Sequence, residues 1–342
     1  MKSYFPLFLF FSFLAISQPE EAELEELFQT ASLWEVGENK TRVAEARQKL
    51  ISFGEIAINF IVRKKIHLRG TLEFRAMQAV VQGVGEPSAS ILLSALPNDD
   101  PYAVRNIWNL LSSFPFDTVL KYQAKEKIIA LLQSSLSGTS PDFLRRATCG
   151  AIAVWRVQEM LPTLHELLLQ NINDAVAIPC IKALKEIGAK ESLFVLLLLL
   201  DPRISTAPKR FSAEEALKAY GPKIFFIFQN FEIIPAGEEE KMIYRHLLKI
   251  LGAVSPEDDP KSLSLFKDAL NHNDWGIRAS AVEGLTLMKG KKAFALLQKY
   301  HSKEGHPYVL FLINKALSRL PQNLPAGESP ATVAIRKRFI LP

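Results

Sequence analysis

Apolar residues recur along the chain at helical spacing, in segments many of which end on Gly or Pro. AEARQKLISFG ends at Gly54, AMQAVVQGVG at Gly85, NIWNLLSSFP at Pro115 and RRATCGAIAVW at Trp155. CIKALKEIG ends at Gly188, EEALKAYG at Gly221, HLLKILG at Gly252, SAVEGLTLMK at Lys289 and NKALSRLP at Pro321. Successive ends lie 30 to 40 residues apart, so nine units fill the chain from about residue 20 to 321. Gly suits a left-handed helix cap and Pro cannot continue a helix, so these are helix stops.

Between stops lies a second helical pattern: EIAINFIVRKKI, PSASILLSAL, MLPTLHELLLQ, KESLFVLLLLL, SLSLFKDAL and KKAFALLQKY. Period-two alternation is missing over any useful length, so the expected fold is all-α. A lone helix pair cannot hide its apolar stripe, and consecutive pairs must therefore stack on one another. The prediction is an alpha-alpha superhelix, a solenoid of about nine helix pairs over residues 18–321. Residues 322–342 lack the periodicity for a further unit and are read as a C-terminal tail.

Acids and amides cluster in the turns, at Asn98, Asp99, Asp100, Asp142, Asn173, Asp174, Asp201, Asn273 and Asp274. Such side chains cap the following helix through its free N–H groups. Just inside come Phe74-Arg75, Val104-Arg105, Leu144-Arg145 and Ile277-Arg278. NDWGIRASAVEGL, DDPYAVRNIWNLL, PDFLRRATCGAIAVW and NDAVAIPCIKALKEIG together resemble the HEAT repeat family.

That resemblance implies a ladder in which the Arg of one repeat bonds an acid of its neighbour, with Arg75, Asp100, Arg105, Asp142, Arg145, Asp274 and Arg278 as its members. Ala177 takes the Arg position in the fifth unit and the sixth lacks an Arg there, so packing alone is expected to hold those units. The resemblance also implies a scaffold that binds a protein partner through a curved surface lined by the second helices. HEAT-like lyases acting on tetrapyrroles and HEAT-like DNA glycosylases are the enzymatic alternative. No GxSxG, P-loop or GxGxxG motif supports catalysis, and no catalytic residue or cofactor is assigned.

The first residues place Lys2 before an apolar run from Tyr4 to Ile16, with Ala15 and Ser17 as small residues beyond it. This is the layout of a secretory signal peptide, residues 1–17, cleaved near Ser17, which makes the expected product periplasmic or extracellular. The longest later apolar run, residues 193–200, is too short to span a bilayer. Formal charge is +5, and losing Lys2 leaves 5 − 1 = +4. That mild excess does not demand nucleic acid, and export argues against it.

Charge is most uneven over residues 40–75, where Arg63, Lys64 and Lys65 offer an anion-facing patch toward envelope lipid or polysaccharide. The acidic run from Glu20 to Glu26 can instead neutralise it, and this is the preferred reading. Phe228, Phe231 and Trp275 are further binding candidates, although IFFIF also reads as a buried first helix of its unit. Trp108 and Trp155 fall on core positions. HSKEGH, with His301, Glu304 and His306, matches no zinc spacing, and no metal is assigned. Cys149 and Cys180 lie at equivalent positions of adjacent units, where a mean helix spacing of about 8–10 Å favours two buried thiols over a bridge.

Overall fold

The computed structural model describes residues 19–170, 172–228 and 235–319. The proposed leader 1–17 and tail 322–342 lie outside the described residues, as does Phe231. The chain divides into two compact units, Met1–Thr163 and Leu164–Pro342. Every regular element among the described residues is helical, and none of these helices is long and apolar enough to cross a membrane.

The first unit holds α1 (Glu21–Ala31), α2 (Asn39–Ser52), α3 (Glu55–Phe60), α4 (Thr71–Val84), α5 (Pro87–Ser94), α6 (Pro101–Leu111), α7 (Phe116–Leu120), α8 (Lys125–Ser135) and α9 (Asp142–Trp155). The long helices pack in chain order, α2 on α4, α4 on α6 and α6 on α9, while α3 packs on α5 and α5 on α7 in a second layer. Leu50, Met77, Val80, Ile107, Trp108 and Ile152 fill the space between layers. Gly54 and Gly85 end α2 and α4 with positive φ, which a side chain would oppose. These two predicted stops are therefore real ones. Residues 116–135, which the nine-unit scheme leaves within one long repeat, form α7 and α8. A π-helical turn, Ile61–Lys65, extends α3.

The second unit holds α10 (Leu161–Leu169, within which the division falls), α11 (Asp174–Ile187), α12 (Leu193–Leu198), α13 (Ala207–Ala219), α14 (Glu238–Val254), α15 (Pro260–Leu270), α16 (Trp275–Met288), α17 (Lys291–His301) and α18 (Pro307–Ser318). Here α11, α13, α14, α16 and α18 pack in succession, with α12, α15 and α17 beside them. Asn173, Thr206, Asp259 and Asp274 cap their helices by accepting backbone N–H bonds.

One predicted stop fails. Gly252 lies buried inside α14, which runs on to Val254, because it faces Gly284 of α16 at a close crossing. A Cβ on Gly252 would fall 2.0 Å from the Gly284 carbonyl oxygen. The glycine answers a packing need and no turn. IFFIF departs from expectation too, since Gly221–Phe228 is a 3₁₀ segment that buries Ile224 and Phe228 and leaves Phe226 exposed.

Candidate functional site

The ladder can be followed residue by residue in the second unit. Lys209, almost wholly buried, donates to the Ile172 carbonyl at 2.5 Å and lies 3.7 Å from Asp174. Arg245 donates to both oxygens of Asp274 at 2.8 Å. Asp274 in turn caps α16 at Ile277. Arg278 forks onto Glu304 at 2.8 and 2.9 Å and also reaches the carbonyls of His272 and Asn273. Glu304 is buried, and burial would raise its pKa, but Arg278 and the His306 N–H outweigh that and hold it low.

Packing alone therefore does not hold the fifth and sixth units. Lys209 and Arg245 continue the chain of bonds in positions the family pattern does not mark.

In the first unit the expected acid partners are not those chosen. Arg105 donates to Asn106 Oδ1 at 2.8 and 3.0 Å and to the Leu68 carbonyl at 3.4 Å. Asn106 is fully buried and itself donates to the carbonyls of Ile66 and Leu68. Asp100 caps α6 at Tyr102, and Arg145 bonds Asp142 of its own helix. Arg75 is exposed, without an acidic partner among the described residues.

Around Arg105 the first unit assembles a cluster of cations and rings. Tyr102 and Phe143 stack with centroids 4.3 Å apart and planes inclined by 16°. The Arg69 guanidinium lies 3.8 Å from the Tyr102 centroid, and that of Arg105 lies 5.2 and 5.9 Å from the two rings. Burial pushes the Arg105 pKa down, and the nearby charges of Arg146 and Arg69 add to that. Neither Arg69 nor Arg146 has an acidic partner among the described residues. Arg69 falls within the basic stretch 40–75 and Arg146 follows the ladder position Arg145, but sequence reasoning gave neither a place in such a cluster.

Apolar side chains are exposed along the long helices of the second unit. Trp275 is 49% exposed, Tyr308 48% and Phe311 57%. Trp275 stacks flat on His306 at 4.7 Å, meets Tyr308 edge-on at 6.0 Å, and Tyr308 lies 6.5 Å from Phe311. Ile178 on α11 and Phe211 on α13 flank a shallow groove of about 260 Å³, edged by Lys182, Lys185 and Glu215. Beneath Phe211, the buried Glu214 accepts from Lys218 and His246 at 2.5 Å and from Lys249 at 2.7 Å.

No protein-family model matches the chain, and no curated protein matches it. Among solved structures it is similar to a crystal structure of a Kap121p mutant, with 12% identity and a TM-score of 0.39 over 93% of this chain and 47% of that one. The chain thus spans about half the length of that structure. The all-α, helical-repeat fold stands on the consecutive packing of the helices themselves.

The remaining candidates fall in different places. Lys64 pairs with Glu21 at 2.9 Å and Lys65 with Glu25 at 2.5 Å, so the basic and acidic stretches do neutralise each other locally. Lys65 also lies over the rings of Phe28 and Phe60, while Arg63 and Lys64 are both exposed. Phe228 is buried. Trp108 and Trp155 are core residues, bonded through their indole N–H groups to Ser135 and the Phe114 carbonyl. His301 bonds Asn314, His306 lies on Trp275, and Glu304 is taken by Arg278, so the three groups of HSKEGH go to three partners. Among the described residues no group of three ligands is placed to hold a metal.

Neither Cys149 nor Cys180 is a free thiol; both are disulfide-bonded. The expectation of free thiols rested on a mean helix spacing, which does not bound the approach of particular residues.

Proposed function

We propose that this chain is an exported, non-catalytic scaffold of HEAT type that binds a protein partner through the long-helix surface of its second unit. The observation that carries this reading is the half-exposed strip Trp275–Tyr308–Phe311, held in place by ring contacts and by His306 beneath the indole. Large rigid aromatics offer much contact area for little lost rotamer freedom, and Trp and Tyr dominate the energetics of protein interfaces. A contiguous exposed patch of this kind marks an interaction surface more often than a solvent-facing accident. The Ile178–Phe211 groove offers a second apolar seat on the same unit.

Export is supported by the charged, apolar and small-residue layout of residues 1–17, and by two cysteines in disulfide form, which suits an oxidising compartment. The N-terminus of the protein recovered from its own host should begin near Gln18. An intact mass that includes Met1 would remove the export reading.

For binding, the wild-type chain should retain a stoichiometric protein from envelope extracts. The triple variant Trp275→Ala, Tyr308→Ala, Phe311→Ala should lose it while keeping its helical circular-dichroism spectrum. Equal retention by both chains would place the interface elsewhere and defeat this reading.

A further inference from the structure

We infer that the first unit carries an anion-recognition site, built from Arg69, Tyr102, Arg105, Phe143 and Arg146, which takes the carboxylates of an acidic, aromatic-bearing segment of a partner protein. The inference shares with the preceding section only the premise that the partner is a protein. It uses different residues in a different unit.

Three guanidinium groups gather here, and none of them is hydrogen-bonded to an acid among the described residues. Asp100 spends its side chain on the Tyr102 N–H, Asp142 is bonded to Arg145, and the Glu73 carboxylate lies against Gly70. Arg146 and Arg69 act on Arg105 as like charges, an effect that Asp100 only partly offsets, so an incoming anion relieves repulsion among them. The Arg105 and Arg146 positions correspond: each is the fifth residue of its helix, α6 or α9, and those helices pack directly on each other.

The cluster is also ordered in advance. Arg105 is fixed by the buried Asn106, and Arg69 lies over the ring of Tyr102, which is stacked on Phe143. A guanidinium placed over a ring keeps N–H groups for an anion, and a carboxylate matches them with two parallel bonds. Ordering the cations beforehand removes part of the entropy that binding otherwise costs. The partly exposed rings beside them supply an apolar seat for a neighbouring side chain.

A protein segment fits better than a membrane surface. Asp100 caps the helix that carries Arg105 and Asp142 opens the helix that carries Arg146, and acids set beside the cations would meet a flat anionic bilayer unfavourably while leaving room for a narrow chain. The cations are also arginines, the type suited to paired carboxylate bonds, where a lipid-facing patch is commonly built on lysine as well.

Fluorescence anisotropy with a labelled Glu-Phe-Glu-Phe-Glu-Glu peptide tests this on the full chain. The peptide should bind, its all-Gln counterpart should not, and added salt should weaken the complex. Arg69→Ala and Arg146→Ala should each lower affinity about tenfold, the loss of one charge-assisted bond. Both residues are exposed, so their helical spectra should be unchanged. Arg63→Ala and Trp275→Ala should leave peptide affinity within about twofold, so failure of the aromatic strip as a partner surface would not disturb this result. Equal binding of the Gln peptide, or arginine variants that bind as wild type, would overturn the inference. Arginine-dependent binding to phosphatidylglycerol vesicles without peptide binding would overturn it in favour of a lipid surface.

Discussion

Glu214 is the group whose removal should be felt most in the second unit. It sits on α13, 2% exposed, with Lys218 on one oxygen and His246 and Lys249 on the other. Burial alone would raise its pKa, but the bonds from His246, Lys218 and Lys249 outweigh it and bring the carboxyl from 4.5 down to about 2. Such a shift corresponds to about 3 kcal/mol at full strength, and to about 2 kcal/mol once solvent screening is allowed for. Because the folded value lies below the unfolded one, this stabilisation is fully present above pH 4.5 and is lost as the pH falls through about 2. Glu214→Gln removes the carboxylate and leaves the cations around it uncompensated, at a cost of about 3 kcal/mol. For a unit of this size that lowers the melting temperature by about 6–12 °C. The assay is thermal or urea unfolding of wild type and variant at pH 7 and at steps down to pH 2.5, with the gap between them narrowing as the pH falls. A variant that melts with wild type at pH 7, or a gap that stays constant across the series, would refute the reasoning.

Three other substitutions probe the packing and the ladder. Gly252→Ala places a methyl group against the Gly284 backbone, where nothing flexible can yield, and should destabilise by about 3 kcal/mol in denaturant melts. Arg278→Ala strands the buried Glu304 and should cost about 3 kcal/mol, whereas Arg145→Ala, whose partner is a half-exposed acid one turn away, should cost under about 1 kcal/mol. Asp274→Ala removes both a helix cap and the Arg245 partner, and should fall between them at about 2 kcal/mol. Iodoacetamide should label Cys149 and Cys180 only after reduction, as mass spectrometry of the tryptic peptides would show.

The helices were legible in the sequence because burial on one face and stops at left-handed glycines leave a periodic trace. Gly54, Gly85, Gly188 and Gly221 all have positive φ. Gly252 misled for a physical reason: a glycine chosen for closeness between helices is written with the same letter as one chosen for a turn. Residues 116–135 blurred because α7 is a single short turn with one buried side chain, too little to show a period. The ladder was legible as a class of interaction and not as a list of pairs. Which acid meets Arg278, or that Lys209 reaches a carbonyl across 37 positions, depends on where turns fall in space. The Arg69–Tyr102–Phe143 stack escaped notice because its three members come from three separate stretches that the fold brings together.

The bare crossing of Gly252 against Gly284 constrains how this chain can have changed length. Repeat arrays grow and shrink by whole hairpins, since each new pair usually needs only an ordinary apolar flank on either side. A pair slipped between α14 and α16 would separate two surfaces, each hollowed to admit the other's backbone. The newcomer would then have to bring a matching gap on both of its sides at once. Duplication or deletion is thus far easier elsewhere in the array than at this joint, and insertions accumulated over time should avoid it.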